Sequence, residues 1–162
     1  GNTLVAMTYT WTSAANSPVP SGWTAIDTRT TSGYTVRSLY RTVQAGDPTA
    51  YTFTTTTGAH QGVSIFEITP TSGYDVLGYN NTTGTSATVT TTAPSVQVLP
   101  IAHYVNTGAN GNWTFPGGWT AQTGLNRIST AYGTATSSAI SLTATTSVSK
   151  SVVAIIATFK GA

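Results

Sequence analysis

Side chains able to do acid–base chemistry are few in this sequence: Asp27, Asp47, Glu67 and Asp75 are its only carboxylates, and His60 and His103 its only histidines. Hydrolysis of a glycosidic bond needs two carboxyl groups facing each other across roughly 5–9 Å, and none of the four lies in a recognisable acid/base motif. Asp47 precedes Pro48 and reads as a turn former, whereas Glu67, in an apolar strand pattern, reads as paired with an arginine or turned to solvent. Two histidines without a cysteine cannot build a multi-histidine or zinc–cysteine centre from one chain, and no cluster of Asp offers calcium its oxygen ligands. No metal and no cofactor is expected. His103 follows Leu99 and Ile101 at strand spacing and reads as a satisfied, partly buried core histidine. No serine occupies a G-x-S-x-G elbow, since GVSIF at 62 lacks the second glycine, and no lysine-bearing phosphate loop is present. Lys150 and Lys160 are the amines that a side-chain isopeptide with asparagine would use, and an intact mass short of one ammonia per bond would reveal it. What remains is uncharged recognition, by aromatic rings that stack and by amides and hydroxyls that hydrogen-bond, and this points to a binder of sugars rather than an enzyme.

Within that chemistry, the loop NTGANGNWTFPGG at 106–118 stands out, because Trp113 has no counterpart in a repeat described below and Asn110 and Asn112 flank it. Loops at the end of a β-sandwich carry binding more often than strands do, so these three residues form the first candidate ligand site, with Trp113 folded back over the sandwich edge as the alternative reading. Tyr79, Asn80 and Asn81 form the second. Trp23 and Trp119, each behind a Gly-containing turn at Gly22 and Gly118, read as structural corks at the end of the sandwich, with sugar stacking as the alternative.

The elements that must hold these groups are strands. Thr, Val, Tyr, Phe and Trp recur with period two in segments such as LVAMTYTW at 4, YTVRSLYRTV at 34, GVSIFEI at 62, VQVLPIAHYV at 96 and SVVAIIATF at 151. No helical segment separates them, so the sequence predicts an all-β, antiparallel β-sandwich of eight to eleven strands. At 162 residues the chain fits a single domain, 1–162. PSGWTA at 20–25 returns as PGGWTA at 116–121, LVAMTY at 4 is matched by LPIAHY at 99, and AYTFTTTT and GVSIFEI return as AISLTATT and SVVAIIATF. This divides the domain into half-repeats at about 1–70 and 94–162, joined by an insert at 71–93 that turns near Asn80, Asn81 and Gly84. Two related halves sharing one core suggest a jelly-roll-like topology. SVVAIIATF, apolar on both faces, reads as a central strand, and Pro100, lacking an N–H, as an edge or a bulge.

Charge excludes other classes. Only 6% of residues are charged, with six Lys or Arg against four Asp or Glu, so neither disorder nor a nucleic-acid surface is expected. The apolar run VVAIIA at 152–157 is too short to insert into a bilayer as a helix. Beginning at Gly1 directly before a strand pattern, the chain reads as a domain cut from a longer protein or as a processed product.

Leu4 to Ala6, Pro20 to Thr24, Ala45 to Phe53 and Gly62 to Ile68, with Pro116 to Thr120 as a second copy, together resemble a β-sandwich domain recurrent in phage structural and tail-fibre proteins and in bacterial surface (adhesin-type) proteins. The resemblance covers nearly the whole chain on short structural motifs. It implies a jelly-roll-like, non-enzymatic module at a virion surface or at an extracellular or cell surface, and supplies no catalytic residues. Two functions follow as expectations. One is an attachment or receptor-binding domain that recognises cell-surface glycan or another host receptor, assembled as a homo-oligomer, a trimer, for avidity. The other is a purely structural virion component, a capsid decoration or tail appendage.

Overall fold

The computed structural model describes residues 1–11, 18–31, 33–55, 61–69, 71–93, 98–107, 111–125, 127–134 and 139–161. The elements are β1 (Thr3–Trp11), β2 (Thr24–Thr31), β3 (Tyr34–Thr42), β4 (Gln61–Ile68), β5 (Thr71–Thr92), β6 (Val98–Asn106), β7 (Trp119–Leu125), β8 (Ile128–Gly133) and β9 (Ala139–Gly161). No helix occurs among the described residues, and hence none long and apolar enough to cross a membrane. The all-β class and the two antiparallel sheets expected of a sandwich are both present, one with four strands in the order β2-β3-β1-β4 and one with five in the order β5-β9-β6-β8-β7. Contacts divide the chain into two compact units, Gly1–Thr71 and Ser72–Ala162.

Each sheet is built from strands contiguous in sequence, rather than from strands dealt out alternately as in a jelly roll. Both follow one order. In the first unit β1 and β2 both run antiparallel to β3, so they are parallel to each other with β3 between them. β3 and β4 are related in the same way through β1. A connection between such strands cannot be a hairpin; it has to cross a face of the sheet. Aromatic residues of the crossing segments rest on the sheet. Trp23 and the partly buried Tyr51 and Phe53 cover Leu4, Ala6 and Leu39, with rings in edge contact at 5.5 Å (Trp23–Tyr51) and 5.3 Å (Trp23–Phe53).

The second unit repeats the pattern. The β6–β7 connection brings Trp113 and Phe115 over Ala102 and Tyr104, and a backbone bridge pins it, Thr114 N–H donating to Thr145 O at 2.7 Å and Thr145 N–H to Thr114 O at 3.0 Å. Register shows how the two sheets correspond. Ala6 lies opposite Leu39 and Ile65, and Leu39 opposite Ala25; Ala102 lies opposite Ala131 and Ile156, and Ala131 opposite Ala121. Superposing the two WTA segments thus equates Ala6 with Ala102, one residue away from the match between LVAMTY and LPIAHY. With a period of two, that slip exchanges the faces of the strand.

β5 cannot be straight, since 22 residues extended would span about 70 Å, yet Gly78 packs directly against the Thr90 carbonyl and Asn80 Nδ2 donates to Thr88 O at 2.7 Å. It folds back on itself. Its returning arm alternates buried Ala87 and Val89 with exposed Thr88 and Thr90, and the early part of β9 does the same with Ile140, Leu142 and Ala144. These residues share one cluster with Val152, Ala154 and Ile156 of the sheet. Tyr104, wholly buried at its centre, donates toward both Ala87 O (3.2 Å) and Leu142 O (3.0 Å). Val152 through Phe159 are buried without exception, as a central strand between β5 and β6 requires. Pro100 lies in the central strand β6, not at an edge; its missing N–H is tolerated because pairing with β8 begins only at Ile101.

PSGW and PGGW form the same turn. Trp23 N–H donates to Pro20 O at 3.1 Å and Trp119 N–H to Pro116 O at 3.3 Å, with Gly22 and Gly118 at φ 79° and 86° in the position where a type II turn requires a positive φ. A Cβ on Gly118 would meet nothing within 4 Å, whereas one on Gly22 would strike the Arg41 guanidinium. Gly118→Ala is therefore expected to cost about 1–2 kcal/mol from backbone strain alone, and Gly22→Ala more, as read by chemical denaturation of the two variants.

Candidate functional site

An open pocket of about 570 Å³ lies in the first unit, where the β3–β4 connection leaves the sheet. Its floor is apolar, made by Leu4 of β1, Val43 and Ile65 of β4, and Tyr51 forms a wall. Gln44, Asp47, Thr49 and Glu67 form the polar rim. The rim is held by a tight turn over Gln44–Asp47, in which Asp47 N–H donates to Gln44 O at 3.1 Å and Gly46 takes φ 87°. The Asp47 carboxylate closes the turn from the other side by accepting Gln44 N–H at 2.8 Å.

Arg41, at the end of β3, is anchored behind this turn. Its Nε and Nη2 both donate to Asp47, its Nη1 reaches Ser21 O at 3.5 Å, and its guanidinium sits 5.2 Å from the centre of the Tyr51 ring. The Gln44 N–H above all, and the ion pair with Arg41 in addition, hold the Asp47 carboxyl below the usual carboxylate range, although desolvation acts in the opposite sense. Asp47 is thus ionised and fully engaged, which suits a positioning group and not a proton donor. Glu67 is different. It is exposed on β4 and accepts one hydrogen bond, from Asn2 Nδ2 to Oε1 at 2.8 Å. The sequence reading of Asp47 as a turn former thus matches its place, and Glu67 is the rim carboxylate turned to solvent.

Trp113, Asn112, Tyr79, Asn80 and Asn81, the described ones of the six residues proposed from sequence as ligand-binding, are not among those that line this pocket. Asn110 lies outside the described residues, as does His60. Asn112 is exposed, but Trp113 beside it is only 4% exposed, so the expectation that it presents its ring to a ligand is corrected. Its indole N–H donates to Asn106 Oδ1 at 2.6 Å, its backbone N–H donates to Ser129 Oγ at 2.9 Å, and its ring packs 5.5 Å from that of Tyr104. The physical reason is the crossing: β6 and β7 are parallel strands with β8 between them, so Trp113 and Phe115, which lie between them in sequence, rest over the face of the sheet. Tyr79 and Asn80 are half-buried, with the Asn80 amide bound to Thr88 O, and only Asn81 of that trio is exposed. Trp23 is 6% exposed and Trp119 half-buried, both packed on their cores behind Gly22 and Gly118.

Among the described residues no three His, Cys, Asp or Glu side chains come close enough to hold a metal ion. His103 is wholly buried with Nδ1 at 3.1 Å from Thr130 Oγ1, and burial pushes its pKa down to about 3. Lys160 stands 3.9 Å from the buried carboxylate of Asp75, and Lys150 is buried against Gly111. Sequence reasoning noted the Ala45–Phe53 segment only as a motif and missed the pocket, because Leu4, Ile65 and Glu67 come from strands whose adjacency is nonlocal. The signal present was an arginine six residues before an Asp-Pro turn and a tyrosine four residues after it. No protein-family model matches the chain, and no curated protein or solved structure matches it.

Proposed function

We propose that this protein is a non-enzymatic surface binding module that takes a cell-surface glycan in the pocket of its first unit. The observation that carries the reading is that pocket: about 570 Å³, within the usual range of roughly 300–1,000 Å³ for small-ligand sites, with an apolar floor, an aromatic wall and an amide, hydroxyl and carboxylate rim. Sugars present apolar C–H faces and rings of hydroxyls, and this pairing of surfaces answers both. Commitment of Asp47 to Arg41 and to the Gln44 N–H leaves the rim without two free facing carboxylates, which favours binding over hydrolysis. The resemblance to phage tail-fibre and bacterial surface domains agrees with a place on a virion or cell surface. A homotrimer would present three such weak sites together and raise avidity.

A glycan array probed with the labelled full chain tests the reading, with discrete hits expected. Thr49→Ala and Gln44→Ala, both on the exposed rim, are expected to weaken those hits about tenfold while leaving the melting temperature within about 1 °C, since surface substitutions of this kind change stability by less than about 0.5 kcal/mol. An array without hits, together with a regular position of the domain on the shell of its parent particle by cryo-EM, would establish the structural-component reading instead. Light scattering at high micromolar concentration reads the trimer directly.

A further inference from the structure

We infer that Glu67 makes the pocket selective by charge, favouring a sugar that carries an ammonium group over a neutral sugar and rejecting one that carries a carboxylate; this rests on the glycan-binding reading above. The two carboxylates of the rim are not equivalent. Asp47 is neutralised in place by Arg41, whose guanidinium is held on it by two nitrogens and faces the Tyr51 ring, so the pair contributes little net field to the pocket. Among the described residues no Lys or Arg pairs with Glu67. Its hydrogen-bond donor among them is the neutral amide of Asn2, which binds Oε1, and the residue is exposed. No Lys or Arg lines the pocket among the described residues, so its mouth carries the uncompensated negative charge of Glu67.

The charge stands beside an apolar floor and the tyrosine wall, where a pyranose ring would rest. An amino group on that ring can donate a charge-assisted hydrogen bond to Oε2, which is stronger than the bond a hydroxyl makes there. A carboxylate on the ring meets like charge, and the nearby Arg41 guanidinium is already committed to Asp47. Because the site is open, the preference is modest and screened by salt.

The test compares glucosamine, glucose and glucuronate, which differ only at C2 or C6, by NMR titration of the full chain near pH 6 in low salt, following the backbone amides of Gln44, Thr49 and Tyr51. Glucosamine is expected to bind about fivefold more tightly than glucose, and glucuronate more weakly than glucose. Glu67→Gln keeps the shape and is expected to remove the gap between glucosamine and glucose, and about 0.3 M salt should shrink the gap in the parent. Equal affinities for glucosamine and glucose, a gap that persists in Glu67→Gln, or tightest binding of glucuronate would overturn the inference while leaving glycan binding in place. If none of the three sugars perturbs these amides at about 100 mM, the inference and the glycan reading fall together.

Discussion

Replacing Trp113 by alanine is expected to lower the stability of the protein by about 3–5 kcal/mol, the range for deleting a buried tryptophan. The indole is 4% exposed and lies among Tyr104, whose ring also meets Phe115 at 5.4 Å, and the apolar side chains of β6 and β9. Its loss also strands a polar partner. Asn106 is wholly buried, its Oδ1 accepting the indole N–H while its Nδ2 donates to Gly111 O. Removing the indole leaves that oxygen without its donor, a desolvation cost of about 1–3 kcal/mol included in the total. Trp113→Phe refills most of the space but not the hydrogen bond, and is expected to fall between the two. Urea denaturation followed by circular dichroism reads both, and a loss below about 1 kcal/mol for the alanine variant would show that the ring is not part of the core. Against a total stability of about 5–15 kcal/mol, the expected loss is a large share of the whole.

The second large effect is acid instability through His103. In the unfolded chain this imidazole takes up a proton near pH 6.5, whereas in the folded protein burial holds it neutral down to about pH 3. Between those values the unfolded chain binds more protons, so stability falls as the pH falls, by roughly 1.4 kcal/mol per unit and on the order of 5 kcal/mol over the whole interval. Above pH 6.5 both states are neutral and this contribution is flat. His103 lies opposite Thr130 on β8 and Ile155 on β9, and neither can stabilise an imidazolium as a carboxylate would. The register that equates Ala102 with Ala6 sets His103 level with Met7, which is also wholly buried, so His103→Met is the natural control. Stability measured from pH 7.5 to 4 should drop steeply in the parent and more gently in His103→Met, where carboxylates such as Asp47, itself ionised to lower pH than usual, still contribute. Parallel curves for the two proteins would refute the assignment.

Much of the architecture was legible in the sequence because it is written locally. Period-two runs of Thr, Val and aromatic residues specify strands with one or two buried faces, and Pro-x-Gly-Trp specifies a turn whose third residue needs a positive φ, as Gly22 and Gly118 show. SVVAIIATF, apolar on both faces, specified a central strand, and β9 is one. Asp47 before Pro48 specified a turn, and its carboxylate closes one. What the sequence could not determine was which strands are neighbours. A connection of about a dozen residues between two strand patterns looks the same whether it loops out at the end of a sheet or crosses its face. Only the order β7-β8-β6, which places β8 between two parallel strands, decides that Trp113 lies over the sheet with its side chain buried. For the same reason the pocket was invisible: Leu4, Tyr51 and Glu67 lie far apart in the chain, and pairing of β1 with β4 in one register, Leu4 opposite Glu67, brings the floor and the rim together. Cross-strand hydrogen bonding is cooperative and nonlocal, so a shift of one residue, like that between LVAMTY and LPIAHY, would have turned Glu67 to the other face and dismantled the site.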